Sequence, residues 1–243
     1  YNRDVEIFPV LRTIFENILG HCPYKSPTDM GVNMAGFCIT DDEVCCQASR
    51  MEILRRYYTA LTDRLQGRAG DELVYKLELL MKQAGITGDI FPAIAAAKQR
   101  EEVSGGPAGA MVLPDGKVIT GKTSDLLGAS AALLLNALKY LGGIDRDLDL
   151  ISNQVLEPIC RLKVESLGNK NPRLHSDEVL IALCVSALTN PIAARAQAQL
   201  EKLRGCAAHF TVVLSEVDDT LYRRLGIHVS CEPKYERKRL YFK

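Results

Sequence analysis

The stretch "LPDGKVITGKTSDLLGAS", residues 113–130, decides how the chain is read. Within it Gly116–Thr123 spells G-x-x-x-x-G-K-[ST], the pattern of a phosphate-binding loop. A true loop of that kind needs four variable residues that curl around a phosphate. Here they are Lys117, Val118, Ile119 and Thr120. Val, Ile and Thr are branched at Cβ and favour extended backbone. Asp115-Gly116 just before them is a strong hairpin signal between apolar runs. The segment is therefore read as two short strands, Ala110–Leu113 and Lys117–Thr120, leading into a helix over Leu126–Leu141. One reading of phosphate chemistry survives: Lys122, Thr123 and Ser124 precede a helix start, whose free N–H groups can seat an anion. The competing reading makes Thr123 or Ser124 the helix cap.

Composition sets the frame. The 243 residues include 30 basic and 30 acidic side chains, so net charge selects for neither nucleic acid nor an acidic surface. Hydrophobic residues are 47% and charged residues 25%, as in soluble globular proteins. No segment reaches the ~18 uncharged apolar residues of a membrane span. The chain begins at Tyr1 rather than Met and shows no signal peptide, which reads as a processed chain or a fragment. The eight cysteines (22, 38, 45, 46, 160, 184, 206 and 231) show no disulfide framework and are expected as thiols in the cytoplasm. With His21 they show none of the paired spacings of structural zinc, so no metal is expected.

The first hundred residues read as helices. Val5 to Leu19 keeps helical spacing after a candidate Asp4 cap, with Pro9 kinking or delaying its start. Thr40 and Glu43 form a capping-box spelling before a stripe from Val44 to Leu65. A third helix ends at Gly85 and a fourth starts near Pro92. "SGGPAG", residues 104–109, is a break in composition, which divides a helical domain (1–104) from an α/β domain (108–243). Downstream the pattern predicts a strand at Leu148–Ile151, a helix from Ser152 or Asn153 to Leu167, and a central, all-round apolar helix at Ser176–Leu188. An amphipathic helix follows from Pro191. Strands are predicted at Phe210–Leu214 and Ile227–Ser230, around a short helix at Leu221–Leu225.

Two further stretches hold polar groups suited to a ligand. Tyr24–Cys46 is a long connection carrying Lys25, Ser26, Thr28, Asp29 and Asn33, either a ligand-binding wall or an ordered connector. Leu167–Glu178 ends in His175-Ser176-Asp177-Glu178, which resembles a helix start and alternatively supplies a general base. No serine can be paired with a histidine from sequence.

"YNRDVEIFPVL" (1–11), Tyr24–Cys46, Val112–Lys139 and "LHSDEVLIALCVSALTNPIAARAQAQLEKLRGCAAH" (174–209) together resemble the bacterial family known as domain of unknown function 1846. The resemblance covers essentially the whole chain. It implies proteins about twice this length, with this chain as the C-terminal half and a glycine-rich, nucleotide-binding-like segment in the other. It also implies a cytidine-deaminase-like α/β layer, a fold shared by zinc deaminases and zinc-free transferases. The deaminase signature is missing: the helix after the hairpin opens Leu127-Gly128-Ala129-Ser130, and Glu157-Pro158-Ile159-Cys160 does not match Pro-Cys-x-x-Cys.

Two functional expectations follow. In the first, a nucleotide or phosphorylated metabolite sits in a cleft between the domains. Lys122, Thr123 and Ser124 would hold its anion, and Lys25, Ser26, Thr28, Asp29 and Asn33 would form a polar wall. In the second, the chain is a non-catalytic oligomerisation or regulatory module. Neither names a cofactor or a reaction.

Overall fold

The computed structural model describes residues 2–27, 29–30 and 42–236. It separates into two compact units, residues 1–91 and 92–243.

The first unit is helical. α1 (Asn2–Leu19) begins ahead of Asp4 and carries Pro9 inside its second turn. α2 (Asp42–Leu65) and α3 (Asp71–Gln83) follow. Thr40, of the predicted capping box, lies outside the described residues. The buried face of α2 is narrower than the predicted stripe: Ile53, Leu54, Tyr58 and Leu61 are inside, whereas Val44 and Leu65 are exposed. α3 ends as its sequence requires. Gly85 takes φ +60°, and the Ile86 N–H returns to the Met81 carbonyl at 2.8 Å.

The second unit is a mixed α/β layer. The predicted break at Ser104–Gly109 marks only the turn between α4 (Pro92–Ser104) and β1 (Ala108–Val112). The division between units lies earlier, and α4 packs on the sheet. β2 (Val118–Lys122) pairs antiparallel with β1, from Ala108–Lys122 to Val112–Val118. Between them Gly116 adopts φ +80° and donates to the Leu113 carbonyl at 2.9 Å. The hairpin reading holds, and the P-loop spelling is a coincidence of strand and turn.

Gly121 has another role. A Cβ there would stand 2.3 Å from the backbone nitrogen of Leu133. That residue belongs to α5 (Ala129–Leu141), which lies directly on the hairpin. α6 (Asn153–Arg161) runs into a π turn at Leu162–Ser166. α7 (Ser176–Ala187) and α8 (Pro191–Gln197) follow, the latter capped by the Asn190 side chain. β3 (Ala207–Phe210), α9 (Glu216–Arg224) and β4 (His228–Cys231) complete the order.

The sheet order is β2-β1-β3-β4. β1 is antiparallel to both neighbours, and β3 is parallel to β4. β2, β3 and β4 therefore share one direction and end at one edge. The core beneath α5 gathers Met111, Leu133, Leu134, Leu138, Leu183, Phe210 and Tyr222.

Three sequence expectations fail. Leu148–Ile151 forms no strand; Leu150 and Ile151 are buried in an irregular turn. β3 (Ala207–Phe210) starts three residues before the predicted Phe210–Leu214 and shares only Phe210 with it. Pairing with β1 and β4 outweighs the strand preference of Thr211-Val212-Val213. α7 is two-faced rather than central. Val179, Ala182 and Leu183 are buried, while Ile181, Val185 and Leu188 are 66%, 57% and 82% exposed.

Candidate functional site

Parallel strands deliver their following helices to one edge of a sheet, where the helix N-termini offer unpaired N–H groups. β2 leaves the sheet at Lys122 and reaches α5 through Thr123–Gly128; β3 leaves at Phe210 and reaches α9 through Thr211–Ser215. A parallel bridge between Leu127 and Leu174 then sets the start of α7 beside that of α5. Leu174 N–H donates to the Leu126 carbonyl at 2.9 Å, and Gly128 N–H to the Leu174 carbonyl at 3.1 Å. The Tyr222 hydroxyl of α9 donates to the Ser130 carbonyl in the first turn of α5, at 2.8 Å. Three helix starts thus meet at the carboxyl edge.

Asp218 is the hub. It is 5% exposed and sits in the first turn of α9. Its Oδ1 accepts the Ser176 N–H at 2.8 Å and the Ser176 hydroxyl at 2.7 Å. Its Oδ2 accepts the Ser215 hydroxyl at 2.7 Å and lies 2.9 Å from His175 Nδ1. Burial alone would push this carboxyl up; the donations from His175 and Ser176 outweigh burial and hold it far below the carboxylate range. The same hydrogen bond, donated to the Asp218 carboxylate, raises His175 above its ordinary value, against the opposing effect of burial.

A second tier supports this hub. Lys163, buried in the π turn, donates from Nζ to the Arg173 carbonyl and to Glu178 Oε2, each at 2.7 Å. The same Glu178 oxygen accepts the His175 N–H at 2.7 Å. Arg173 Nε donates to the Ser124 carbonyl at 2.8 Å, and its Nη1 to Glu236 at 2.7 Å. Each cation has a carboxylate partner, so the cluster acts through directed donors rather than through net charge. π turns recur at functional positions.

Serine, histidine and aspartate meet here, but not as an acyl-transfer triad. A relay places the aspartate on one ring nitrogen and the serine on the other. Ser215 Oγ stands 3.3 Å from Nδ1, the nitrogen that already faces Asp218. Ser215 is instead the cap of α9, accepting the Asp218 N–H at 3.2 Å. With Nδ1 turned to Asp218, Nε2 lies on the far side of the ring: an acceptor in the neutral ring and an N–H donor once the ring is cationic. The His175 side chain is 26% exposed. The arrangement therefore presents one oriented N–H, on a ring biased towards its cationic form, as an anion ligand or proton donor.

The residues singled out from sequence fall in different places. Lys122 is exposed at the carboxyl end of β2. α5 starts at Ala129 with Gly128 as its cap, so neither Thr123 nor Ser124 caps it. Their N–H groups are spent: Thr123 donates to the Pro107 carbonyl and Ser124 to the Leu127 carbonyl, both at 2.9 Å. The helix start lies further on, at Ala129, because the chain makes an extra turn before it.

Ser26 and Asp29 are buried in the helical unit and bonded locally. Asp29 N–H donates to Ser26 Oγ at 3.0 Å, and Lys25 N–H to Asp29 Oδ2 at 2.7 Å. Thr28 and Asn33 lie outside the described residues. Among the described residues no three His, Cys, Asp or Glu side chains gather where a metal could sit. No described helix is long and apolar enough to cross a membrane.

Asp218, Ser215 and Lys163 are not singled out by the sequence reading; the spelling Ser215-x-x-Asp218, a helix-start pattern, is the one local signal that could have found two of them.

The fold and this node define a two-unit protein, helical and then mixed α/β, with a buried carboxylate holding a histidine at converging helix starts. The chain belongs to the DUF1846 family. The model described as "Domain of unknown function DUF1846, N-terminal" matches residues 1–85, and its C-terminal counterpart matches residues 89–241. It thus carries matches to both descriptions, not only the C-terminal one. A UPF0371 protein of Corynebacterium efficiens is 53% identical over 243 residues, covering 100% of this chain and 49% of its own length. One from Streptococcus thermophilus is 50% identical over the same span, again 49% of its own length. The chain spans about half the length of these curated relatives.

Proposed function

We propose that the 92–243 unit binds a phosphorylated metabolite or nucleotide at the carboxyl edge of its sheet, with His175 meeting the anion. The observation that carries this reading is the His175–Asp218 contact at 2.9 Å, which fixes the ring and favours its cationic form, in which Nε2 on the far side is a donor. Lys122 ends β2 on the same edge and adds a cation; the Ser124 hydroxyl accepts the Leu127 N–H and still has its own proton to give. The strand order, with β1 opposed to its three companions, supports a cytidine-deaminase-like layer without the zinc ligand set. The described free thiols support a reducing, cytoplasmic setting.

The test is calorimetry with inorganic phosphate and a nucleoside monophosphate, on the whole chain and on His175→Gln. The variant keeps a polar side chain but cannot become cationic. It is expected to bind at least about tenfold more weakly, the loss of one charge-assisted hydrogen bond. Equal affinities would remove His175 from the site.

A second reading, self-association, has its own support in the exposed Ile181, Val185 and Leu188 on one side of α7. It predicts an oligomer by light scattering that becomes monomeric in Ile181→Asp/Val185→Asp. A monomer before substitution discards it.

A further inference from the structure

β2 is an edge strand of the sheet. Its hydrogen-bonding phase follows from two contacts at its ends: Leu113 N–H to the Lys117 carbonyl, and Thr123 N–H to the Pro107 carbonyl, both 2.9 Å. With the β1–β2 register, residues 117, 119, 121 and 123 face β1 with their backbone groups. Val118 and Thr120 therefore turn their N–H groups outward. The Thr120 carbonyl already takes an outside donor, the Asn136 amide at 2.9 Å.

Beside this edge runs a groove of about 360 Å³, lined by β2, the last turns of α5 and the turn at Ile144–Arg146. Val118, Ile119 and Ile144 supply apolar surface, and Lys117, Lys139 and Arg146 supply three cations. No aspartate is among the groove's described lining residues; of the carboxylates beside it, Asp115 accepts the Tyr140 hydroxyl at 2.7 Å and Asp145 the Asp147 N–H at 2.9 Å.

We infer that this edge is a docking site for an extended acidic segment of a partner protein, which adds a strand beside β2. Alternating side chains of such a segment would reach the apolar floor and the cations in turn. A five-residue edge takes a peptide of about five residues, roughly 17 Å long. Charge decides against a second copy of the chain. A two-fold pairing of β2 with itself would bring Lys117, Lys139 and Arg146 against their own counterparts. The inference does not depend on the His175 site.

The experiment uses the whole chain and a fluorescein-labelled peptide of alternating Glu and Val, with alternating Lys and Val as control. Anisotropy is expected to show binding of the acidic peptide only, weakened by salt. Amide exchange at Val118 and Thr120 should slow when it binds. Lys117→Glu/Arg146→Glu, two exposed side chains, should lower affinity by about tenfold or more. Val118→Pro removes an outward N–H at the first strand position, where proline is tolerated, and should abolish binding with the unfolding midpoint retained. Equal binding of both peptides, or unchanged exchange at Val118 and Thr120, overturns the inference. So does a charge-reversed variant that self-associates without losing peptide affinity, for then the cations only guard the edge.

Discussion

Replacing Asp218 by alanine is expected to destabilise the 92–243 unit by about 3–5 kcal/mol, the range for breaking a buried charged pair. The substitution strands two groups of different kinds. Ser176, fully buried, loses the acceptor for its N–H and its hydroxyl. His175 loses the anion that supports its cationic form. Asp218→Asn keeps the volume and one acceptor oxygen and should lose roughly half as much. Urea unfolding of both variants measures this; a loss below about 1 kcal/mol for alanine would mean that water replaces the carboxylate, as at an exposed pair.

The same pair sets a pH window. His175 is raised in the folded chain, so its contribution is complete below its ordinary value of 6.5 and is lost as pH rises through the higher folded value. Asp218 is depressed, so its contribution is complete above its ordinary 3.8 and is lost as pH falls through the lower folded value. Both terms are complete between those ordinary values. In Asp218→Asn, the stability change on the alkaline side of that window should flatten.

The second large effect is at Gly121. Valine there would force a side chain into the Leu133 backbone, 2.3 Å from an ideal Cβ. Backbone at the centre of a packed helix cannot step aside, and the cost is expected to be about 3 kcal/mol or more, at the upper end for overpacking. Gly116→Ala is the control. Its Cβ would meet open space, so only the strain of φ +80° remains, about 1 kcal/mol. If the two variants unfold alike, the contact of α5 with the hairpin is looser than the structure has it.

Gly121 also shows what the sequence could and could not convey. Asp115-Gly116 and the branched Val118-Ile119 pair were enough for the hairpin, because turn and strand chemistry are local. The reason for a glycine at 121 was not, because it depends on a helix laid across the strand. The site divides in the same way. The helix start at His175–Glu178 was legible from its cap spelling. Its union with Asp218, 43 residues on, required the sheet to bring β2 and β3 to a common edge. Sequence spacing places Lys122–Ser124 just before a helix, because the apolar pattern begins at Leu126. In the fold those first apolar residues form the bridge to Leu174, and the helix waits for Ala129. The exposed side of α7 misled in the opposite sense, since apolar composition alone cannot separate a central helix from one with a bare face.

The central claim is that Asp218 holds His175 as an outward anion ligand. NMR titration of the His175 ring, with and without inorganic phosphate, tests it most directly. The account predicts a midpoint above 6.5 that rises further with phosphate and falls towards 6.5 in Asp218→Asn. A midpoint at or below 6.5 that phosphate leaves in place would contradict it.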